Sequence, residues 1–222
     1  MPSARRQKKN KTGRRRNRIN RVSKAPPSNV VASQRFVKLP WYSTQVGSTT
    51  TTTMGVHTFL ANSIYDPDYT TAGTNRQPLG RDEWANFYNN YLVYGVMVEA
   101  NVANLTPGTC SCAGLYYGNT TSIPADLSAM HETPRAICRS FTSEKPLYMK
   151  KYFPIATIDG TTKKTVNSDI TYSSPFSASP SSQGYISLFW QNLNETSSTG
   201  HNARVKITFY CRLFSPKVLS SS

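Results

Sequence analysis

Residues 203–213 read ARVKITFYCRL, and this stretch decides the fold because its apolar and polar side chains alternate. The odd positions are apolar or small, whereas the even positions include Arg204, Lys206 and Arg212. Successive side chains of a β-strand point to opposite faces, so the alternation predicts one buried face and one solvated, basic face. A strand with a single buried face is typical of antiparallel sheets, since parallel sheets are usually buried on both faces.

A second alternating stretch lies upstream, at residues 92–102, where LVYGVMVEANV places apolar residues at the even positions. It predicts another half-buried strand, in which Leu92, Tyr94 and Val96 face the core. Gly, Pro, Asn and Ser residues separate further short apolar runs, a spacing typical of a sandwich or a barrel. Eight strands are predicted, over residues 34–39, 49–61, 91–102, 109–117, 135–141, 147–158, 185–193 and 203–214.

One short amphipathic helix is predicted between the second and third strands. Its aromatic residues are spaced at i, i+3, i+4 and i+7, which places them in one stripe on a helix. They are Trp84, Phe87, Tyr88 and Tyr91. Asp82 and Glu83 add negative charge where the helix dipole favours it, and Asp82 can cap the helix. A shorter helical turn is predicted over residues 125–131, and residues 159–184 are predicted to form the longest loop.

Positive charge is concentrated at the amino end of the chain. Residues 1–24 contain eleven of the 26 Lys and Arg residues, and no acidic residue precedes Asp66. The eleven cations are Arg5, Arg6, Lys8, Lys9, Lys11, Arg14, Arg15, Arg16, Arg18, Arg21 and Lys24. Self-repulsion predicts an extended, disordered arm, whose expected partner is a phosphate backbone bound through counterion release. The same residues also fit a nuclear-import signal that host import factors would recognise, or a solubilising tail.

The rest of the chain fits a single domain. Residues 1–33 are predicted to form the disordered basic arm and a Pro-containing linker, residues 34–216 the jelly-roll domain, and residues 217–222 a flexible tail. The fold class expected is all-β, because eight antiparallel strands behind a basic arm are the layout of a jelly-roll sandwich that holds nucleic acid. No apolar run approaches the roughly 20 residues of a membrane span, so no membrane partner is expected.

The sequence offers no recognisable catalytic constellation, and the chain is predicted not to be an enzyme. Its three histidines, His57, His131 and His201, lie far from any recognisable nucleophile elbow. No His-Glu-x-x-His sequence and no phosphate-binding glycine loop occurs. No cofactor is therefore expected.

Metal binding and sequence-specific recognition also have little support. Cys110 and Cys112 share one face of a predicted strand but lack Cys-x-x-Cys spacing, so the four cysteines are expected to be free thiols. Asp66 and Asp68 are weak candidate ligands for calcium at a subunit junction, against the simpler interpretation of an Asp-Pro turn. Without a recognition motif, and without aromatic and basic residues interleaved outside the arm, contact with nucleic acid is expected to be electrostatic.

Three stretches carry a resemblance to a known family. They are NSIYDPD at residues 62–68, NRQPLGRDEW at residues 75–84 and YNNYLVYG at residues 88–95. Together they resemble the capsid proteins of small circular single-stranded DNA viruses that encode a replication initiator. The resemblance implies a jelly-roll shell protein that assembles with other copies of itself, resides in the virion and enters the host nucleus during assembly.

The expected function is that of a viral capsid protein that packages a single-stranded genome, with DNA favoured over RNA. A shell of about 60 copies would supply about 660 arm charges, enough to offset much of a genome of about one to two thousand nucleotides. Arg204, Lys206 and Arg212 would extend the inner positive surface or pair across an interface. Two alternatives stay open: the coat protein of a small positive-strand RNA or satellite virus, and a cellular single-strand-binding β module.

Overall fold

The computed structural model describes residues 31–50, 52–70, 76–193 and 199–218. The eleven arm cations, the Pro-containing linker and residues 219–222 of the predicted tail lie outside the described residues. The predicted arm, linker and tail therefore stay predictions.

Nine strands and four short helices make up the described part of the chain. The strands are β1 (Gln34–Thr49), β2 (Gly55–Leu60), β3 (Tyr88–Asn104), β4 (Cys110–Gly118), β5 (Ala136–Thr142), β6 (Leu147–Pro154), β7 (Ser173–Pro175), β8 (Tyr185–Asn192) and β9 (Thr199–Pro216). The helices are α1 (Arg81–Ala85), α2 (Leu127–Glu132), α3 (Ile155–Ile158) and α4 (Lys163–Ser168), with a 3₁₀ turn at Ile170–Tyr172.

The strands form two antiparallel sheets. The long sheet has the order β1-β9-β3-β6, with the short β7 paired to β3, and the short sheet has the order β2-β8-β4-β5. The chain passes repeatedly from one sheet to the other, and the first and last long strands, β1 and β9, are neighbours over their whole length. Eight strands in this order are those of a jelly roll, so the predicted fold class is confirmed, with β7 as an additional short strand.

The hydrophobic core lies between the two sheets. On β9 the odd positions from Ala203 to Leu213 are each 1% exposed or less, whereas Arg204 and Lys206 are exposed, so the alternation predicted for this strand is confirmed. From the short sheet the core receives Phe59, Leu115, Ile186, Leu188 and Trp190. Burial of each such large apolar side chain contributes roughly 1.5 to 3 kcal/mol, which makes this central layer the main source of stability.

The predicted alternation of β3 is wrong at Tyr94, although Leu92 and Val96 are buried as predicted. The pairing of β3 with β9 shifts register between Val93 and Gly95, so the alternation changes phase there. Tyr91 and Val93 are buried before the shift and Val96 is buried after it, whereas Tyr94 lies half-buried on the outer face. An extra residue in one strand reverses the face of every following side chain, which is why an unbroken alternation could not be right here.

The predicted helix is present but is much shorter than its aromatic stripe. Helix α1 ends at Ala85, and Tyr88 and Tyr91 belong to β3, where both are buried. Gly80 is the residue before the first helical turn, with φ of 85° and no capping side chain, so Asp82 is not the cap that was predicted. The pairing of β3 with β9 and β7 gives the backbone of residues 88–92 hydrogen bonds that outweigh the local helical spacing.

Several predicted element bounds also change. β1 continues past Pro40 to Thr49, which is compatible with proline because β1 is an edge strand. β2 begins only at Gly55, so the first part of the predicted strand 49–61 is not part of it: Thr49 is the last residue of β1, and residues 52–54 lie in no strand. The predicted strand 147–158 ends at Pro154 and continues as α3, and the predicted loop 159–184 contains α4, the 3₁₀ turn and β7. The helical turn predicted over 125–131 is confirmed as α2, which Asp126 caps.

Candidate nucleic-acid interface on the long sheet

The outward side chains of the long sheet combine aromatic rings with cations. Residues opposite each other in an antiparallel pair point to the same face. Because β9 lies between β1 and β3, the register of β9 shows which side chains of these two strands share its outward face. Lys206 lies opposite Tyr42 of β1 and opposite Glu99 of β3. We call this surface the aromatic–basic face; its rings are Phe36, Tyr42, Tyr94, Tyr148, Tyr152 and Tyr210, and its cations are Lys38, Lys150, Arg204, Lys206 and Arg212.

The rings of this face form a connected cluster around Tyr210. The Tyr152 ring lies 5.4 Å from the Tyr210 ring at 89°, and the Tyr94 ring lies 6.1 Å from it at 58°. Lys38 Nζ is 5.2 Å from the centroid of the Tyr210 ring, a cation–π distance. Gly95 makes room for this cluster, because a Cβ atom there would overlap the Tyr152 hydroxyl.

A single carboxylate sits among the cations. Among the outward residues of β1, β3, β6 and β9, all of which the structure describes, Glu99 is the only acidic one. Its carboxylate lies 3.5 Å from Lys150 Nζ and 3.8 Å from Lys206 Nζ, and it accepts a hydrogen bond of 3.1 Å from Tyr148 Oη. Burial opposes its charge, but the tyrosine hydroxyl and the two lysines lower the pKa of Glu99 below its usual value. The face therefore keeps an excess of positive charge at neutral pH.

The three basic residues predicted from β9 do not share one environment. Arg204 and Lys206 are exposed in the open part of the face. Arg212 is half-buried, because its Nη2 donates a hydrogen bond of 3.2 Å to the Asn167 carbonyl and its guanidinium lies 5.5 Å from the Phe214 ring. Its Nε atom is buried without a hydrogen-bond partner among the described residues. The structure thus separates an open pair of cations from one that is held beside α4.

The weak candidate metal ligands are placed apart from this face. Asp68 is buried, with its Oδ1 2.7 Å from His57 Nε2, and the two side chains are only 5% and 6% exposed. Asp66 is half-buried, and burial raises its pKa. Within the described ranges no group of three or more His, Cys, Asp or Glu residues is arranged to hold a metal ion. The two carboxylates are therefore not part of a cluster of three such residues in the described part of the chain.

Three cysteines and two histidines occupy structural positions. Cys112, Cys138 and Cys211 are free thiols, and burial raises the pKa of Cys112 to about 11, so it stays protonated at neutral pH. Cys112 Sγ lies 4.0 Å from His131 Nε2. His201 is buried between the sheets, and burial lowers its pKa to about 4. In the part of the chain that the structure describes, no helix has the length and apolar character needed to cross a membrane.

The sequence predicts no interleaving of aromatic and basic residues outside the arm, so it does not indicate the aromatic–basic face. This prediction is wrong, because the interleaving runs across four strands rather than along one. The alternation of Tyr148, Lys150 and Tyr152 in β6 is the local signal that could have indicated it. The other aromatic and basic residues of the face become neighbours only through strand pairing between residues distant in sequence, such as Lys38 and Tyr210.

Comparisons with known proteins identify similar solved structures but no family. No family model matches the chain, and no curated protein matches it. A structure of Desmodium yellow mottle tymovirus is 13% identical, covers 97% of this chain and 100% of its own, and has a TM-score of 0.43. Turnip yellow mosaic virus is 12% identical, with 86% and 99% covered and a TM-score of 0.42. Maize chlorotic mottle virus is 10% identical, with 86% and 98% covered and a TM-score of 0.44.

All three TM-scores lie below 0.5. The jelly-roll assignment therefore depends on the strand order and register of this chain.

Proposed function

We propose that this chain is the coat protein of a small non-enveloped virus, and that its copies assemble into an icosahedral shell around a single-stranded genome. The observation that carries the proposal is the aromatic–basic face, on a jelly roll whose chain carries eleven cations within residues 1–24. Jelly rolls are the fold of many viral shells, and closed shells need a rigid domain that repeats around rotation axes. The face adds a chemical reason for a nucleic-acid partner.

A single-stranded partner fits the face better than a duplex does. Single-strand-binding surfaces combine a basic groove along the backbone with aromatic rings on which bases stack, each base contributing roughly 1 to 3 kcal/mol. Tyr148 is 54% exposed and Tyr42 is 40% exposed, so both rings are accessible to bases. In a duplex the base faces are already stacked on each other, and only the cations would be used.

The arm contributes the larger share of charge to the proposed function. Eleven of its residues are cations, whereas the remaining chain has 15 Lys and Arg against 11 Asp and Glu. We expect the arm to neutralise phosphates without reading sequence, as flexible basic segments do. Its composition also suits import into the host nucleus, where a DNA genome would be packaged.

The resemblance of residues 62–68, 75–84 and 88–95 favours a circular single-stranded DNA genome. The charge supply favours a shell of about 60 subunits, because about 660 arm charges suit a genome of about one to two thousand nucleotides. A shell of about 180 subunits would supply about three times as many charges and suit a longer genome.

The full chain, expressed alone and purified without denaturant, tests the proposal. We expect particles in the megadalton range by size-exclusion chromatography, with a diameter of roughly 20 nm by electron microscopy, as expected for about 60 compact domains of this size. A diameter of roughly 30 nm would contradict the smaller shell. A stable monomer or dimer at high protein concentration and moderate salt would support a cellular single-strand-binding module instead.

Sequencing of the nucleic acid from native particles tests the genome type. DNase-sensitive, RNase-resistant circular strands are the expected result. RNA in the native particles would instead identify the chain as an RNA-virus or satellite-virus coat protein.

A further inference from the structure

One end of the aromatic–basic face is closed into a pocket. The pocket has a volume of about 430 Å³, within the range of small-molecule sites. Phe36 of β1, Tyr94 of β3 and Tyr152 of β6 line it, so it crosses the width of the long sheet. Three strand spacings give a width of about 14 Å. Helix α4 covers it from above with Lys163 and Asn167.

The aromatic lining of the pocket is unusually accessible. Phe36 is 65% exposed, and its ring meets the Tyr94 ring edge-on, with ring centroids 6.1 Å apart at 75°. Tyr152 is 36% exposed at the opposite wall. A phenylalanine ring left open to water beside other rings is a surface on which a planar, aromatic ligand gains stacking energy.

The charge of the pocket is positive. Arg212 and Lys163 line it, and none of the described residues that line it is acidic. Arg212 lies directly opposite Phe36 in the pairing of β1 with β9, so a cation and an open ring are adjacent. The hydrogen bond from Arg212 to the Asn167 carbonyl holds the guanidinium in place. A ligand that fits must join a planar aromatic group to an anion, which is the chemistry of a nucleotide.

We propose that this pocket holds one nucleotide of the packaged strand, with the base stacked on Phe36 and the phosphate bound by Arg212 and Lys163. The inference rests on the proposed function, which supplies the strand. It goes further in assigning a defined site on the folded domain, in addition to the non-specific contacts of the arm. In a shell the site would recur in every subunit and would order the strand at regular intervals.

The test uses the full chain and a labelled ten-residue oligothymidylate, with binding measured by fluorescence anisotropy at about 0.5 M salt, where phosphate contacts of the arm are weakened. We expect Phe36→Ala to weaken binding at least about fivefold, the equivalent of about 1 kcal/mol of stacking. The matched control is Phe87→Ala, because Phe87 is 43% exposed but belongs neither to the pocket nor to the aromatic–basic face. It should leave binding unchanged.

Two further probes separate stacking from charge. A strand of the same length without bases keeps the phosphates, so Phe36→Ala should leave its binding unchanged while Arg212→Gln weakens it. Arg139→Gln is the charge control, because Arg139 is exposed on β5 of the short sheet, outside both the face and the pocket, and it should leave binding unchanged. Free thymidine monophosphate should bind far more weakly than the strand. Equal affinity for the free nucleotide would overturn the assignment to a packaged strand.

A photochemical readout does not depend on affinity. An oligonucleotide containing 5-iodouracil, packaged or bound and then irradiated, should crosslink to peptides that contain Phe36, Tyr94 or Tyr152. Crosslinks confined to arm peptides, together with unchanged binding by Phe36→Ala, would overturn the pocket while leaving the coat-protein proposal intact. Wild-type protein that forms no particles and binds no strand would overturn the proposed function itself.

Discussion

His201 connects the two sheets inside the sandwich. Its Nε2 lies 3.0 Å from Ser111 Oγ of β4 in the short sheet, and its Nδ1 lies 3.4 Å from Thr49 Oγ1 of β1. The rings of Phe141 and Trp190 pack at 6.4 Å from the imidazole. Burial lowers the pKa of His201 to about 4, so the ring is neutral in the folded chain over most of the acidic range.

This buried histidine predicts a loss of stability in mild acid. The unfolded chain binds the proton first, since its histidine pKa is near 6.5, so stability falls as pH decreases from about 6.5 towards 4. Between pH 7 and pH 5 the loss from this residue is expected to be about 2 kcal/mol, measured by urea unfolding.

A His201→Gln variant identifies the source of the effect. It should be less stable at pH 7 but should lose this part of the pH dependence. The exposed His131→Gln is the control and should keep the pH dependence. Equal pH dependence in wild type and His201→Gln would show that another group is responsible.

The irregularity in β3 shapes the aromatic–basic face. Tyr94 lies at the register shift itself, between Val93 and Gly95, and joins the cluster of Tyr152 and Tyr210 on the outer face. Tyr91 and Val93 face the core before the shift and Val96 faces it after the shift, so Tyr94 is the extra residue of the strand. The irregularity thus leaves a tyrosine on a surface where it can contact a ligand.

Gly95→Ala tests the fit at this point. The added Cβ would overlap the hydroxyl end of the Tyr152 ring, so the ring must move. We expect a loss of up to about 1 kcal/mol in the free energy of unfolding, measured by urea titration, because the partly exposed ring can move aside into another side-chain conformation. Binding of oligothymidylate should weaken as well, because Tyr152 lines the pocket.

Gly118→Ala is the matched control at the end of β4. There a Cβ would meet its nearest neighbour, Tyr116 Cε1, at 3.5 Å, an ordinary van der Waals distance. This variant should unfold within about 0.5 kcal/mol of wild type. An equal loss in both variants would indicate a general cost of replacing glycine in these strands rather than a clash with Tyr152.

For the whole molecule, the proposed function divides charge and stacking between the arm and the face. The arm carries eleven cations within residues 1–24, and the face has five cations interleaved with six aromatic rings. Charge contacts weaken steeply with salt, whereas stacking does so much less. Binding measured over a range of salt concentrations therefore separates the charge contacts of the arm from the stacking on the face.

Replacement of all eleven arm cations by Gln in the full chain tests the contribution of the arm alone. We expect packaging to be lost and the slope of log K against log salt for single strands to become shallower by up to about 8, at about 0.7 per phosphate contact. Far-UV circular dichroism should be unchanged, because the substituted residues are not expected to form part of the core. An unchanged slope would contradict the assigned role of the arm, and a strong preference for one oligonucleotide sequence would indicate specific recognition.

Local pattern predicted the strands of the jelly roll, because the two faces of a regular strand follow from its side-chain period. The alternation at residues 203–213 matches the buried and exposed sides of β9, and Asp126 caps α2 where a helical turn was predicted. The concentration of positive charge at residues 1–24 likewise requires no structure to be recognised. The strand alternation, the helical turn and the run of cations each depend on residues close together in the chain, so the sequence alone predicts them.

Pairing between strands that are distant in sequence determined where α1 ends and which residues form the aromatic–basic face. Tyr88 and Tyr91 have helical spacing with Trp84, yet their backbones pair with β7 and β9, two strands that come much later in the chain. The aromatic–basic face and its pocket likewise join Phe36 to Arg212 and Tyr42 to Lys206. Local spacing carries no information about such partners, because long-range hydrogen bonding and core burial bring them together only when the sandwich closes.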